Sequence, residues 1–225
     1  MSAQKMGEAV VVITGAAGRL GARMMQRFAE HGATVAAIDR DPCRLPADAP
    51  GQAFQANVTD EAETVAVFRQ IGEAYGRVDV LVHTVGMWAG KPLLDTSLDD
   101  WEQIIRVNLT STLLCFREAA RLMQERGGRL IGIASGQGAD KGVAQQAGYS
   151  ASKAGVMRLV EAVAAEYEET GITAHAIAPS LILFDEAGHQ KGVPVSDLVD
   201  LAVYLCGPAG ASLNGATLRA YGMLR

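Results

Sequence analysis

The sequence predicts an α/β fold: one doubly wound, seven-stranded parallel sheet with helices on both faces, formed by residues 1–225 as a single domain. Three observations predict it. Short apolar runs rich in β-branched residues alternate along the chain with longer segments whose apolar residues recur at helical spacing. A parallel sheet covered on both faces needs such runs, each joined to the next by a right-handed helical crossover. Gly15, Gly18 and Gly21 stand between the first apolar run and the first helical segment, where the chain must turn tightly. No linker, composition break or internal repeat divides the chain, and 225 residues at 49% hydrophobic content suit one large core.

Taken in order, Ala9–Thr14 reads as a fully buried strand, and Leu20, Met24 and Phe28 mark one face of the helix after the glycine turn. Backbone N–H groups at such a helix start form an anion site, and glycines let a pyrophosphate approach. Thr34–Asp39 is the second strand. Its terminal Asp39 lies 18 residues past Gly21, where an acid accepts hydrogen bonds from a ribose and repels a 2′-phosphate. The competing reading is a strand-end aspartate that starts a turn before Asp41 and Pro42. Residues 43–51, with Pro46 and Pro50, read as a loop, and Gln52–Ala56 as the third strand. Asn57, Val58, Thr59 and Asp60 follow. Thr59 or Asp60 caps the next helix, whose buried face carries Val67 or Phe68, Ile71 and Tyr75.

Val78–His83 is the fourth strand. Thr84, Val85 and Gly86 turn out of it, and residues 87–92 form an irregular connection. A long helix is expected from Asp99 and Asp100 to about Arg126, with an apolar row of Trp101, Ile104, Ile105, Thr112, Cys115 and Phe116. Asn108 falls in that row. A buried amide must find partners, so Asn108 either makes structural hydrogen bonds, holds a water, or serves a bent helix backbone. Gly127 and Gly128 end the helix. The fifth strand runs from Gly128 toward Ser135, and a glycine-rich link leads to a helix opening near Tyr149 with Val156, Leu159, Val160, Val163 and Ala164 on its inner face. Ile172–Ala178 is the sixth strand, ending at Pro179 and Ser180. Ser196–Leu205 is the last helix and Ala216–Tyr221 the seventh strand.

The formal net charge of −5 argues against nucleic acid as a main partner, because phosphate binding needs a basic surface. No apolar run approaches the ~20 residues that cross a bilayer. Residues 1–8 lack the apolar core of a signal peptide, so no membrane partner is expected. Cys43, Cys115 and Cys206 are odd in number and far apart, which points to a reduced, cytoplasmic protein. His31, His83, His175 and His189 show no metal-ligand spacing, and no metal is assigned.

Tyr149 and Lys153 stand four residues apart on one helix and point the same way. Elsewhere such a pair is commonly a half-buried tyrosine with a solvated lysine. Here a strand-end hydroxyl, Ser135, precedes them. An ammonium beside a phenol favours the phenolate. A phenol and a hydroxyl sharing one substrate oxygen suit proton transfer to or from an alcohol or carbonyl.

Over essentially the whole chain these residues resemble the short-chain dehydrogenase/reductase family. The likeness rests on Thr14-Gly15-Ala-Ala-Gly18-Arg-Leu-Gly21, Asn57-Val58, Asn108 within Val-Asn-Leu, Ser135, Tyr149-x-x-x-Lys153 and Ala178-Pro179. The resemblance implies a Rossmann-type NAD(P)-binding fold with strand order 3-2-1-4-5-6-7. It implies an oxidoreductase that moves a hydride between a nicotinamide and a carbonyl or secondary alcohol. Tyr149 is then the general acid/base, Ser135 polarises the substrate oxygen, Lys153 binds the nicotinamide ribose and lowers the tyrosine pKa, and Asn108 holds a relay water. The implied cofactor set is Gly15, Gly18, Arg19, Leu20, Gly21, Asp39, Asn57, Val58, Thr84, Val85, Gly86, Tyr149, Lys153, Pro179 and Ile182. Relatives commonly pair two long helices across a two-fold axis, so a homodimer or homotetramer is expected. The alternative is a catalytically inactive nucleotide-binding regulator or scaffold on the same fold.

The sequence departs from the family pattern in several places. Its glycines follow Gly-x-x-Gly-x-x-Gly, with Arg19 at a usual glycine. The usual Asn-Asn-Ala-Gly is His83-Thr84-Val85-Gly86, the usual Pro-Gly is Pro179-Ser180, and the threonine normally beyond it is replaced near Phe184. The segment between Pro179 and Pro194 is short where relatives carry a lid, so the pocket is expected to be open or roofed by residues 87–91. The short lid and the Gly86–Gly90 run are loosely similar to the dihydropteridine-reductase-like branch. Leu181, Ile182, Leu183, Phe184 and Trp88 point either to an uncharged, fairly apolar small molecule or to core packing. Asp39 favours NAD over NADP. Arg19 and Arg40 argue the other way, since either guanidinium can grip a phosphate.

Overall fold

The computed structural model describes residues 6–184 and 191–222. In chain order its elements are β1 (Val10–Thr14), α1 (Arg19–Glu30), β2 (Thr34–Asp39), β3 (Gln52–Gln55), α2 (Glu61–Tyr75) and β4 (Val80–His83). Next come α3 (Leu98–Ile105), α4 (Ser111–Met123), β5 (Gly128–Ile133), a one-turn α5 (Gly136–Ala139) and α6 (Ala147–Glu166). The chain then forms β6 (Ile172–Pro179), the two-residue strands β7 (Ile182–Leu183) and β8 (Val193–Pro194), α7 (Val195–Leu205), the short α8 (Pro208–Ala211) and β9 (Thr217–Ala220). The seven long strands form one sheet in the order β3-β2-β1-β4-β5-β6-β9, and every pairing is parallel. This is the expected order, with β9 as the seventh strand.

Alternation along β1 assigns the two faces of the sheet. Val11 and Ile13 pack with Met24, Met25 and Phe28 of α1 and with Leu198, Val199 and Ala202 of α7. Val12 packs with Phe68 and Ile71 of α2, Cys115 and Phe116 of α4, and Val156 and Val160 of α6. Both Val67 and Phe68 are buried on α2, and the Asp60 side chain caps that helix by accepting from Glu63 N–H at 2.9 Å. Among the described residues no helix is long and apolar enough to cross a membrane.

The expected single helix from Asp99 to Arg126 is three pieces. Between α3 and α4 residues Arg106–Thr110 form a turn of π-helix. A wider turn of this kind inserts one residue and frees main-chain groups. Ahead of it Ile104 is buried as expected, whereas Trp101 is 38% exposed instead of joining the core row. The predicted loop at 43–51 begins with a one-turn helix, Pro42–Arg44, and the glycine-rich link holds α5. His189 and residues 1–5 of the N-terminal reading lie outside the described residues.

Two histidines are sealed in the sheet. His83 Nδ1 lies 2.8 Å from Thr14 Oγ1, and Nε2 lies 3.0 Å from Ser111 Oγ. Ser111 spends its only proton on the Val107 carbonyl at 2.6 Å. It must therefore accept from Nε2–H, and Nδ1 accepts from Thr14. This directed chain ties the end of β1 through the end of β4 to the π turn. Burial, helped by the Lys153 charge, lowers the His83 pKa to about 3. Burial likewise brings His175, between Thr173 and the Leu213 carbonyl, to about 4.

Two outcomes follow for stability. Phe28 is fully buried between α1 and the sheet. Phe28→Ala should cost about 3–5 kcal/mol, seen as a lower urea midpoint at unchanged slope. The second concerns acid. Unfolded imidazoles titrate near ~6.5, far above both folded values, so unfolding takes up protons between these limits. The stability from neutral burial is complete above ~6.5 and is lost as pH falls toward 4, at up to about 1.4 kcal/mol per pH unit for each histidine. Urea titrations between pH 6.5 and 5 should show this slope, and His83→Gln should remove its share. An unchanged slope in that variant would mean His83 is charged in the fold.

Candidate active site

The C-terminal ends of the parallel strands bring the expected residues to one edge of the sheet. The strand order reverses between β1 and β4, and a crevice opens there in folds of this kind. Gly15, Gly18 and Gly21 shape the turn from β1 into α1. A Cβ on Gly21 would stand 2.2 Å from the Gly15 carbonyl oxygen, so only glycine lets the helix start this close to the strand. The first turn of α1 has no side-chain cap and no acidic residue. The backbone amides of a helix start, here behind exposed Gly18, fit a pyrophosphate.

Asp39 is half-buried at the end of β2. Its Oδ2 accepts from Ala17 N–H in the glycine turn at 3.0 Å, and Oδ1 accepts from Asp41 N–H at 3.1 Å. The turn-starting reading of Asp39 is thus realised, yet a carboxylate offers about four acceptor positions and two remain. Arg40 is exposed. Asn57 spends its Oδ1 on the Thr59 amide and hydroxyl, its own N–H donates to Glu63, and Val58 is buried. Thr84 Oγ1 donates to the Thr14 carbonyl at 2.7 Å, and Val85 lies against Gly15.

A cleft of about 720 Å³ gathers Ser135, Tyr149 and Lys153 with Leu20, Thr84, Gly86, Pro179 and Ile182. Gly15, Gly18, Arg19, Gly21, Asp39, Asn57, Val58 and Val85 lie outside it, along the strand ends toward β3. Ser135 follows the end of β5 and caps α5, accepting from Gln137 N–H at 3.3 Å, and its hydroxyl acts to lower the pKa of the Tyr149 phenol. Lys153 is 5% exposed, and its Nζ donates to the Ile133 carbonyl at 2.8 Å. Burial lowers the amine to about 8. The Tyr149 pKa is raised by burial, against the smaller pull of the Ser135 hydrogen bond. This reverses the expected phenolate-favouring effect of the lysine. The ammonium is directed at a main-chain carbonyl, and desolvation of the phenol outweighs its charge.

Asn108 is fully buried and serves the bent backbone. Its Oδ1 accepts from Met87 N–H at 2.7 Å. Its Nδ2 donates to the Met87 carbonyl at 3.0 Å and to Ser152 Oγ at 2.9 Å. Both amide hydrogens are therefore engaged, and the main-chain carbonyl of Asn108 accepts from Thr112 Oγ1 at 2.8 Å. Ser152 Oγ donates in turn to the Tyr149 carbonyl.

Of residues 87–91, which the sequence offered as a roof, two line the cleft. Met87 and Trp88 are on its wall, and Lys91 N–H donates to the carbonyl of Gln145, a non-glycine residue at φ 63°. The short segment after β6 divides. Leu181 and Ile182 face the cleft, whereas Leu183 and Phe184 line a separate groove between α1 and α7. Phe184 lies 4.0 Å beneath the Arg19 guanidinium. Ser180, in place of the usual glycine, donates its hydroxyl to the Tyr221 carbonyl at 3.0 Å. Residues 185–190 of the lid lie outside the description.

Sequence reasoning missed Val143, Asp140 and Tyr221, which also line the cleft. No local pattern marks them, because the link to α6 and the chain end meet only once β9 joins β6. Among the described residues no group of three or more His, Cys, Asp or Glu side chains is placed to hold a metal ion.

Comparison with known proteins agrees with this geometry. The chain matches the short chain dehydrogenase family over residues 9–191. It is 35% identical over 185 residues to 3beta-hydroxysteroid dehydrogenase of Mediterraneibacter gnavus, covering 78% of this chain and 67% of that protein. It is 30% identical to D-threitol dehydrogenase of Mycolicibacterium smegmatis, covering 93% and 90%. A solved dehydrogenase/reductase from Sinorhizobium meliloti 1021 superposes at a TM-score of 0.86 and 26% identity, covering 97% and 95%. The sheet order, the cleft and these relatives agree: the chain belongs to the short chain dehydrogenase family of nicotinamide-dependent oxidoreductases that act on carbonyl and alcohol groups.

Proposed function

We propose that Tyr149 is the general acid/base of a carbonyl–secondary alcohol interconversion in this cleft. The observation that carries this is the meeting of Ser135, Tyr149 and buried Lys153 in one cleft. A bound nicotinamide supplies or accepts the hydride at the substrate carbon. In the reducing direction Tyr149 gives its proton to the carbonyl oxygen, and Ser135 donates a hydrogen bond to that same oxygen. In the oxidising direction the phenolate takes the alcohol proton back. A raised phenol pKa keeps Tyr149 protonated at neutral pH, which suits reduction there, and oxidation then gains as pH rises. Lys153 has two ammonium hydrogens beyond its bond to Ile133, enough for a ribose, and Gly86 leaves room beside it. Asn108 keeps the Met87 turn and the start of α6 in register, and its last acceptor position is open to a relay water.

The cofactor reading is NAD(H) over NADP(H). The two open acceptor positions of Asp39 suit ribose hydroxyls, while its charge opposes a 2′-phosphate. Arg40 points to solvent, and the Arg19 guanidinium is seated on Phe184, which supports the same preference. Leu20, Thr84, Val85, Pro179 and Ile182 would border the nicotinamide half, and Gly15, Gly18, Gly21, Asn57 and Val58 the rest. The cleft lining of Met87, Trp88, Val143, Leu181 and Ile182 supports an uncharged, largely apolar substrate. The two curated relatives are named for a hydroxysteroid and for D-threitol, which supports an alcohol. Exposed Leu94, Leu98 and Leu113 on and beside α3 and α4 support a homodimer or homotetramer, and three free cysteines support a cytoplasmic setting.

Tyr149→Phe should lower turnover of a neutral ketone at least ~100-fold while cofactor still binds, because the ring stays and only the proton goes. Near-normal turnover would remove Tyr149 from the role, and binding without turnover in the wild type would favour a regulator. For the cofactor, kcat/KM with NADH should exceed that with NADPH, and Asp39→Ala should narrow the ratio. A wild type that prefers NADPH, or a ratio indifferent to Asp39→Ala, would transfer the selection to the arginines.

A further inference from the structure

We infer that Tyr221 is a substrate-specificity residue: its ring forms the far wall of the cleft and limits the size of the group attached to the reacting carbon. This rests on the function proposed above, since the wall matters only if Ser135 and Tyr149 hold the reacting oxygen. Besides Leu181 and Ile182 after β6, another element lines this cleft. β9 supplies it. Its pairing sets Ala220 opposite Pro179, so the next residue emerges level with Ser180.

Three separate contacts hold Tyr221 in place. Ser180 donates its hydroxyl to the Tyr221 carbonyl at 3.0 Å, and Ser180 N–H donates to the Ala220 carbonyl at 3.0 Å. The phenol donates to Asp140 Oδ2, and Arg219 Nε holds Asp140 Oδ1 at 2.7 Å. One edge of the ring lies so close to the turn after Ser135 that a Cβ on Gly136 would stand 2.8 Å from Tyr221 Cε1. A side chain tied at backbone, edge and tip has little freedom to swing aside, unlike an unanchored aromatic at a rim. Each Asp140 carboxylate oxygen has one partner, Tyr221 on one side and Arg219 on the other. Trp88, a residue that is 62% exposed, also lines the cleft.

Truncating the anchored wall should therefore change which ketones are accepted, not only how fast they react. The test uses the full chain with NADH and two neutral ketones, cyclohexanone and the bicyclic 1-tetralone. Tyr221→Ala should raise the tetralone-to-cyclohexanone ratio of kcat/KM about tenfold or more, the scale on which pocket size discriminates. Tyr221→Phe, which keeps the ring and loses the Asp140 tether, should raise it less. Equal loss on both ketones would overturn the inference and leave Tyr221 a structural residue. Should Tyr221→Ala fail to fold, Tyr221→Leu carries the same comparison. Quenching of Trp88 fluorescence in a Trp101→Phe background gives the ratio of the two ketones' Kd values without turnover. If no ketone reacts but the Kd ratio shifts with Tyr221, the catalytic reading fails and the wall stands. If turnover is normal and neither ratio shifts, the wall fails alone.

Discussion

The buried carboxamide of Asn108 is the constraint on which the site depends. An amide sealed from water must satisfy its donors and acceptor inside the protein. Asn108 does so across three elements: it grips both main-chain groups of Met87 beyond β4, and Ser152 on α6. The helix that carries it opens into a π turn at the same place, and His83 reads that turn through Ser111 and Val107. The wall of the cleft, the strand edge beneath it and the helix bearing Tyr149 and Lys153 are thus braced against one another. An unmet hydrogen bond at this depth costs about 1–3 kcal/mol, so the arrangement is held by the penalty of breaking it more than by the strength of any one bond.

Burial, more than charge pairing, sets the proton chemistry. Lys153 is lowered to about 8 and Tyr149 is raised, and in both desolvation is the leading cause. The two shifts bring an acid and a base that are ordinarily alike in pKa further apart in role: a phenol that keeps its proton and an amine that gives it up more readily. Charge in the site remains responsive to whatever fills the cleft, because displacing the remaining water changes the desolvation of both groups at once.

The short segment after β6 alters how the cleft is enclosed. Leu181 and Ile182 stay with the site, but Phe184 turns to the far side of α1 and supports Arg19. Ser180, a departure from the family pattern, fastens the end of the chain to the end of β6. The hydroxyl at Ser180 thereby links the end of β6 to the residue that follows the last strand.

Much of this was legible in the residues. Seven apolar runs became seven parallel strands because a strand buried on both faces has few alternatives once glycine turns and helical spacing separate the runs. Ser135, Tyr149 and Lys153 were legible because a strand end and an i,i+4 pair are local geometry. The π turn was not, since a helical period carried through residues 99–126 contains no sign of one inserted residue, and Trp101 was also misplaced. The sequence also named a lysine beside a tyrosine without saying how dry either would be, so the direction of the Tyr149 shift waited on packing. Tyr221 stands beside Gly136 only because β9 pairs with β6, a contact between distant segments that no local spacing encodes. Sequence by itself determined the layers, the turn chemistry and the pairing of Tyr149 with Lys153 on one helix face, all set by short-range pattern. Tertiary structure alone decided which groups are dehydrated and which distant side chains close the cleft, because both depend on what the whole sheet brings together.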